Sequence, residues 1–281
     1  MQQKLLHHLL WTSCDRVRKW MEFAVNMTCM SCQSTIENTL KNNPDIKSVS
    51  VDLNQQQVLV ETTLSTSDVK SLLESTGRRA ALKGHGSIDS DKGVQHLGAA
   101  VSMLQGPSFV QGVFRFLQIS EDTCVIEGTL DNLKPGPHGL AIHEFGDLSN
   151  GCQSCGSHYN PHSRRHGAPG DKERHVGDLG NVVADENGRA NFRLEDDKVK
   201  VWDIIGRSLV VHESQDDLGR GNKPESKVDG NSGVGLSCGI VARSAGLFQN
   251  PKKFCQCDGV AIWDERDVPL AGPKRQQQSL L

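Results

Sequence analysis

Two cysteine pairs stand near the ends of this chain, in Met27-Thr28-Cys29-Met30-Ser31-Cys32 and in Cys255-Gln256-Cys257, and a histidine-rich stretch runs between them from His143 to Asp178. Thiolate pairs favour Cu(I) and Zn(II), and imidazole suits Zn and Cu. Such a chain is equipped to hold metal and to hand it on. Cys29 and Cys32 fall on the loop before an expected helix, where amide dipoles lower a thiol's pKa. A redox pair is the alternative reading of the same spacing. Cys255 and Cys257 share one face of an extended chain, and Lys252 and Lys253 favour their thiolates. They can meet a partner's metal or exchange with its cysteines, although two incidental cysteines would look the same.

His158, His166, His175 and Asp178 offer nitrogen and oxygen donors, mostly from one loop. Four protein ligands fill a tetrahedral shell, which reads as a closed structural zinc site rather than a catalytic one. Scattered polar loop residues are the plainer alternative. Cys14 has no motif around it, and Cys124, inside Thr123-Cys124-Val125-Ile126, reads as a small buried hydrophobe.

A chain of 281 residues has room for about two domains. The net charge of −3 shows no basic excess, so nucleic acid is not an expected partner. No run approaches the ~20 apolar residues that span a bilayer. Residues 1–20 read as a frayed extension, with a targeting peptide as the alternative.

The elements that must position these groups fall into sections. Residues 21–83 alternate: a strand at Glu22–Val25, a helix over Cys32–Leu40, strands around Val49–Leu53 and Val58–Val60, a helix capped at Ser67-Asp68, and a last strand at Arg79–Leu82. The order is βαββαβ, a ferredoxin-like α+β unit. Residues 84–98 look like a linker, with His85 and His96 as solvated loop residues. Residues 99–246 are short strands between Gly, Pro and Asn-Gly-type turns, which predicts an all-β sandwich or barrel. Asp185-Glu186-Asn187-Gly188 is a hairpin signal. Loops at about 146–175 and 214–235 are too long to be idle. Residues 247–281 read as a flexible tail that folds only on a partner.

The Met-Thr-Cys-x-x-Cys context on a βαββαβ unit resembles the heavy-metal-associated domain. Arg78 falls where such domains often keep a cation near the thiolates; an ordinary surface arginine is the even alternative. Gly139-Leu140-Ala141-Ile142-His143-Glu144-Phe145-Gly146-Asp147, Arg174-His175-Val176-Gly177-Asp178-Leu179-Gly180-Asn181 and Gly206-Arg207-Ser208-Leu209-Val210-Val211-His212 resemble copper/zinc superoxide dismutase over about 99–246. That resemblance implies an eight-stranded Greek-key barrel and a dimer surface. It implies that His158 bridges two metals, with His166, His175 and Asp178 completing the zinc site. It puts His143, His158 and His212 at copper-ligand positions and Ala141 at a fourth. It puts Gly235 where the family has an anion-guiding arginine, so dismutase activity is not expected. It pairs Cys152 with Cys238 as a disulfide and leaves Cys155 free, although Cys152-Gln153-Ser154-Cys155 also reads as C-x-x-C. It places Ile205, Gly206, Arg207, Gly239, Ile240, Val241 and Ala242 on the dimer surface.

In this order, from Met21 to about Gly272, the parts resemble the copper chaperones for superoxide dismutase. The resemblance implies a non-enzymatic protein that uses Cu(I) and Zn(II). It implies delivery of Cu(I) to the dismutase, oxidation of that protein's disulfide, and a heterodimer with it. A homodimer and a membrane copper transporter as donor are further expectations. The expected location is the cytoplasm, with the mitochondrial intermembrane space or nucleus as alternatives. The competing readings are a dismutase with a fused copper-loading domain and a passive metal buffer.

Overall fold

The computed structural model describes residues 18–250, apart from 90–92, 96 and 107–108. The expectations for residues 1–17, Cys14, His96, Cys255, Cys257 and the tail beyond residue 250 lie outside the described residues. The chain divides into two compact units at Leu82/Lys83.

The first unit runs β1 (Lys19–Val25), α1 (Met30–Lys41), β2 (Ile46–Asp52), β3 (Gln57–Thr62), α2 (Thr66–Ser75) and β4 (Ala80–Asp89). The strands lie in the order β2-β3-β1-β4. Met21, Phe23 and Val25 alternate along β1 and pack with Val58 and Val60 of β3. Cys32, Ile36 and Leu40, each four apart, form the buried stripe of α1, and Val69 and Leu73 bring α2 onto the same core. The cap of α2 sits two residues before the expected Ser67. Ser65 accepts the Asp68 amide and Asp68 accepts the Ser65 amide, a reciprocal capping box that satisfies two orphan donors.

Three expectations at the borders need correction. The extension does not reach residue 20, because Lys19 and Trp20 already pair with Thr62 and Glu61 in β1. Residues 84–98 are not an unstructured linker. β4 continues to Asp89 and turns into β5 (Gly93–Gln95), with Ser87 opposite Gln95 and Asp89 opposite Gly93. Ladder bonds are made by the main chain, which Gly- and Asp-rich composition weakens without forbidding. His85 is buried rather than solvated; its backbone bridges Gly246 and accepts the Leu247 amide. Leu247, at the start of the expected flexible tail, is buried as well.

The second unit adds β6 (Ala99–Leu104), β7 (Gln111–Gln118), β8 (Cys124–Asp131), β9 (Gly136–His143), β10 (Ser149–Cys152), β11 (Asp178–Ala184), β12 (Ala190–Asp196), α3 (Val201–Ile204), β13 (Ser208–His212) and β14 (Gly235–Arg243). Eight of these strands close a barrel in the order β11-β12-β8-β7-β6-β14-β13-β9, which leaves no open edge. Gly188, at φ +78°, turns the β11–β12 hairpin at the expected place. Period-2 alternation sorts the side chains. Leu140 and Ile142 of β9 and Leu209 and Val211 of β13 enter the barrel core with Phe114, Phe116, Ile126 and Val182. Ala141, His143, Val210 and His212 therefore lie on the opposite face of β9 and β13, under the long loops.

The same alternation corrects the expected surface. Ile205 and Ile240 are each 42% exposed, whereas Val241 is fully buried in the barrel core. Gly239 is also buried, facing the Met103 carbonyl so closely that an added Cβ would lie 2.2 Å from it. Neither can offer a side chain to a partner.

Candidate metal centres

Cys29 is the N-cap of α1 and is exposed; Cys32, one turn on, is buried against the core. Their sulfurs lie 3.2 Å apart, and the Thr28 hydroxyl is 3.7 Å from Cys32 Sγ. Hydrogen bonding from the Thr28 backbone, then from the Cys29 thiol and the Thr28 hydroxyl, brings the Cys32 thiol down to about 6. Met27 anchors the loop beneath, 2% exposed, with its carbonyl taken by Gln56 Nε2 at 3.0 Å. The pair thus combines one fixed sulfur with one open to solvent. Arg78 is half-buried, with no hydrogen bond or ion pair to either sulfur among the described residues.

In the barrel unit His158, His166, His175 and Asp178 come together, all buried, with donor atoms within 4.8 Å of one another. Asp178 opens β11, and the loop from β9 carries the histidines to it. Asp178 Oδ1 lies 2.8 Å from His158 Nδ1, 2.9 Å from His166 Nδ1 and 3.1 Å from His175 Nδ1. Its Oδ2 accepts the amides of His175 and Gly167 at 2.8 and 3.1 Å. Burial works against the charged carboxylate, but the three imidazoles hold Asp178 well below the usual carboxylate range.

His166 tests whether this set fits a cation. Its Nε2 meets Asp216 Oδ1 at 2.8 Å. Its buried Nδ1 has no hydrogen bond, although Asp178 lies only 2.9 Å away. A ring nitrogen and a carboxylate oxygen this close and this buried call for a cation between them, a proton or a metal ion in its place. Burial alone would lower this imidazole; Asp178 and Asp216 outweigh it and lift His166 to about 9. Three nitrogens and one oxygen fit tetrahedral Zn(II).

Two supporting residues carried no spacing signal. Asp216 also accepts the Leu218 amide at 2.7 Å and is clamped through its backbone by the Asn181 side chain. Arg174, 1% exposed, pairs with Asp196 at 2.6 Å and donates to the carbonyls of His175, Val176 and Asp178. The pairings of Asp216 with His166 and of Arg174 with Asp196 span 50 and 22 residues, so only the fold reveals them.

A second set, His143, His158 and His212, is also buried with converging donors. His143 Nδ1 contacts the Gly156 carbonyl at 2.8 Å, and His212 Nδ1 the Gly233 carbonyl at 3.0 Å. Their Nε2 atoms face each other at 3.2 Å. Burial, then neighbouring imidazoles, lowers His143 to about 3 and His212 to about 4. His138, buried between the His212 and Lys134 carbonyls at 2.9 and 2.8 Å, braces this corner; it too escaped the sequence reading. Ala141 is buried one pleat from His143, between Val210 of β13 and Asp178 of β11.

Cys152 and Cys238, the pair expected to bridge, are brought together with Cys155 around Val210, each drawn with a free thiol. Contact with Cys152 comes first in pushing Cys238 up to about 12, and contact with Cys238 lowers Cys152. Gly235 pairs with His212 across the strands, and an added Cβ there would lie 2.7 Å from Cys152 Cβ. Its smallness is a packing requirement of the thiols as well as the absence of a cation.

The model of the heavy-metal-associated domain matches residues 22–79, and that of copper/zinc superoxide dismutase matches residues 110–241. The chain is 56% identical over 259 residues to the copper chaperone for superoxide dismutase of Homo sapiens, covering 92% of this chain and 93% of that protein. It is 40% identical over 256 residues to the chloroplastic/cytosolic copper chaperone for superoxide dismutase of Arabidopsis thaliana, covering 90% and 72%. Over 150 residues it is 43% identical to superoxide dismutase [Cu-Zn] 5 of Dictyostelium discoideum, covering 52% of this chain and 98% of that protein.

Proposed function

The chain belongs to the family of copper chaperones for superoxide dismutase, and from that premise we propose that it carries Cu(I) on Cys29 and Cys32, docks on a copper/zinc superoxide dismutase through its barrel, and closes the target's internal disulfide with Cys255 and Cys257. The observation that carries this reading is the thiol pair itself. Two sulfurs 3.2 Å apart, one exposed and one held toward thiolate, can keep Cu(I) two-coordinate. An incoming thiolate can then add at the exposed side before Cys29 leaves, so the ion always keeps two sulfur ligands. At the tail, a Cys255–Cys257 disulfide attacked by the target's thiolate forms one S–S bond as another breaks. The target's two protons pass to the tail thiols, which an oxidising disulfide must later restore.

His158, His166, His175 and Asp178 would hold Zn(II) as a structural ion that ties the loop before β11 to the barrel. Ile205, Gly206, Arg207 and Ile240 supply the docking surface, and a copper/zinc superoxide dismutase is the partner. A homodimer uses the same surface when the partner is absent. A membrane copper transporter is the proposed donor, and the cytoplasm the working compartment, where thiols stay reduced. No helix among the described residues is long and apolar enough to cross a membrane. The three converging imidazoles favour a second reading, a dismutase with its own copper-loading domain. Ala141 and Gly235 weigh against it, since one donor and the anion-steering charge are missing together.

The test mixes the Cu(I)-loaded chain with zinc-bound, copper-free, disulfide-reduced dismutase and follows copper, disulfide and activity together. Full transfer and maturation are expected. A Cys255→Ser/Cys257→Ser variant should still associate yet fail to mature the target; full maturation by it removes the tail's role. Rapid dismutase turnover by the copper- and zinc-loaded chain alone favours the second reading.

A further inference from the structure

We propose that Cys155 is a second disulfide partner for Cys238, so that Cys152, Cys155 and Cys238 form a thiol–disulfide exchange site in the barrel unit, one that takes the disulfide of a small thiol at Cys152. This chemistry is the barrel's own and stands whether or not the chain serves a dismutase.

Cys238 of β14 lies opposite Val210 of β13 in the ladder. Cys152 ends β10, and a short helical turn, Gln153–Cys155, brings Cys155 round to the same place. Val210, Cys155 and Cys238 form one buried cluster, with the half-buried Cys152 packed against it. Cys238 touches both other thiols: each of them acts on its acidity, and it comes first among the influences on each of theirs. Either neighbour is therefore within reach of its sulfur. The Cys155 thiol points at the Asp147 carbonyl, 3.7 Å away. Cys155 is 0% exposed and Cys238 4%, so Cys152 is the one residue of the three open to solvent.

Exposure and acidity give the exchange its direction. Contact with Cys238 lowers the Cys152 thiol, whereas contact with Cys238 and then burial raise Cys155, and Cys238 itself is raised. The thiolate is the attacking species, so an incoming small disulfide reacts at Cys152. A bond from Cys152 to one small thiol forms as the incoming S–S bond breaks. Cys238 then attacks the Cys152 sulfur, which forms Cys152–Cys238 and releases the second small thiol. The two protons lost by Cys152 and Cys238 pass to the two small thiols. Cys155 next attacks the Cys238 sulfur and Cys152 departs, since the thiol of lower pKa leaves faster. One S–S bond forms as another breaks and the Cys155 proton goes to solvent, so this step needs no oxidant. It buries the disulfide as Cys155–Cys238 and returns Cys152 as an open thiol, ready for a second small disulfide.

The test uses the full zinc-loaded chain with Cys14, Cys29, Cys32, Cys255 and Cys257 replaced by serine, reduced and then given excess glutathione disulfide without oxygen. Acid quenching and fragmentation mass spectrometry assign the bridge. This parent should carry Cys155–Cys238 with one glutathione on Cys152. Adding Cys155→Ser should leave Cys152–Cys238 and no glutathione. Adding Cys152→Ser instead should slow formation of any bridge to Cys238 by about 10-fold or more, because the two remaining thiols are buried. Cys152–Cys238 as the sole bridge of the parent, with no glutathione bound, overturns the proposal, as does a Cys152→Ser variant that oxidises as fast as the parent. Zinc content reports that each variant keeps its fold; should one lose zinc, the bridge and the glutathione found in the parent decide the question alone.

Discussion

Cys32 shows how much a single residue's surroundings can do. Its thiol, held near 6 by the Thr28 backbone and then by Cys29 and the Thr28 hydroxyl, is largely thiolate at neutral pH. Alkylation of Cys32 by iodoacetamide, followed residue by residue in a peptide map, should therefore reach half its maximal rate near pH 6, against about 8.5 for a free thiol. Thr28→Val should move that midpoint upward by part of the shift, because the backbone contribution stays. A folded-state pKa below the unfolded one stabilises the fold fully above the unfolded thiol's range, and that contribution is lost as pH falls through about 6. The thiol spacing was legible in the sequence, since both sulfurs lie on one short loop. The supports of the zinc set were not. Asp216 reaches His166 across 50 residues and Arg174 reaches Asp196 across 22, and no local pattern encodes such pairings. Asp216→Asn should weaken zinc binding by about 10–100-fold, checked by competition with a chelator.

At the scale of elements, the βαββαβ order and the barrel strands were readable from hydrophobic period alone, because each element buries one face. Alternation was harder to phase. The resemblance placed Gly239 to Ala242 on a surface as one run, but successive strand residues face opposite sides, so Gly239 and Val241 face inward while Ile240 is exposed. The hairpin of β4 and β5 was missed because its composition carries no apolar period. Gly235 is the element-scale test of what a restored guide would do. Gly235→Arg places its Cβ against Cys152 and Val210, and such overpacking costs about 1–3 kcal/mol. Urea denaturation of the zinc-loaded protein should show that loss. Adding Ala141→His should not bring dismutase turnover with it, since the strand must first yield at Cys152.

For the whole molecule, the Cys29/Cys32 pair and the barrel histidines belong to separately cored units. Ile205→Asp with Ile240→Asp should weaken association with a copper/zinc superoxide dismutase at least 10-fold, as burying unpaired charge in an interface does. The same variant should bind Cu(I) at Cys29 and Cys32 unchanged. Sedimentation and a Cu(I) titration, run on one preparation, separate the two. Equal loss in both would show that the units are not independent.

The backbone staple between His85 and Leu247 sets a leash. From Leu247 to Cys255 the chain has eight steps, a contour of at most about 28 Å. A thiol confined to a sphere of that radius has a mean local concentration on the order of 10 mM or more. Anything docked beside the staple meets the C-x-C sulfurs at that concentration, however dilute the protein is in bulk. Lengthening the chain between Leu247 and Cys255 should thus slow thiol exchange with a docked target while leaving its affinity for that target untouched.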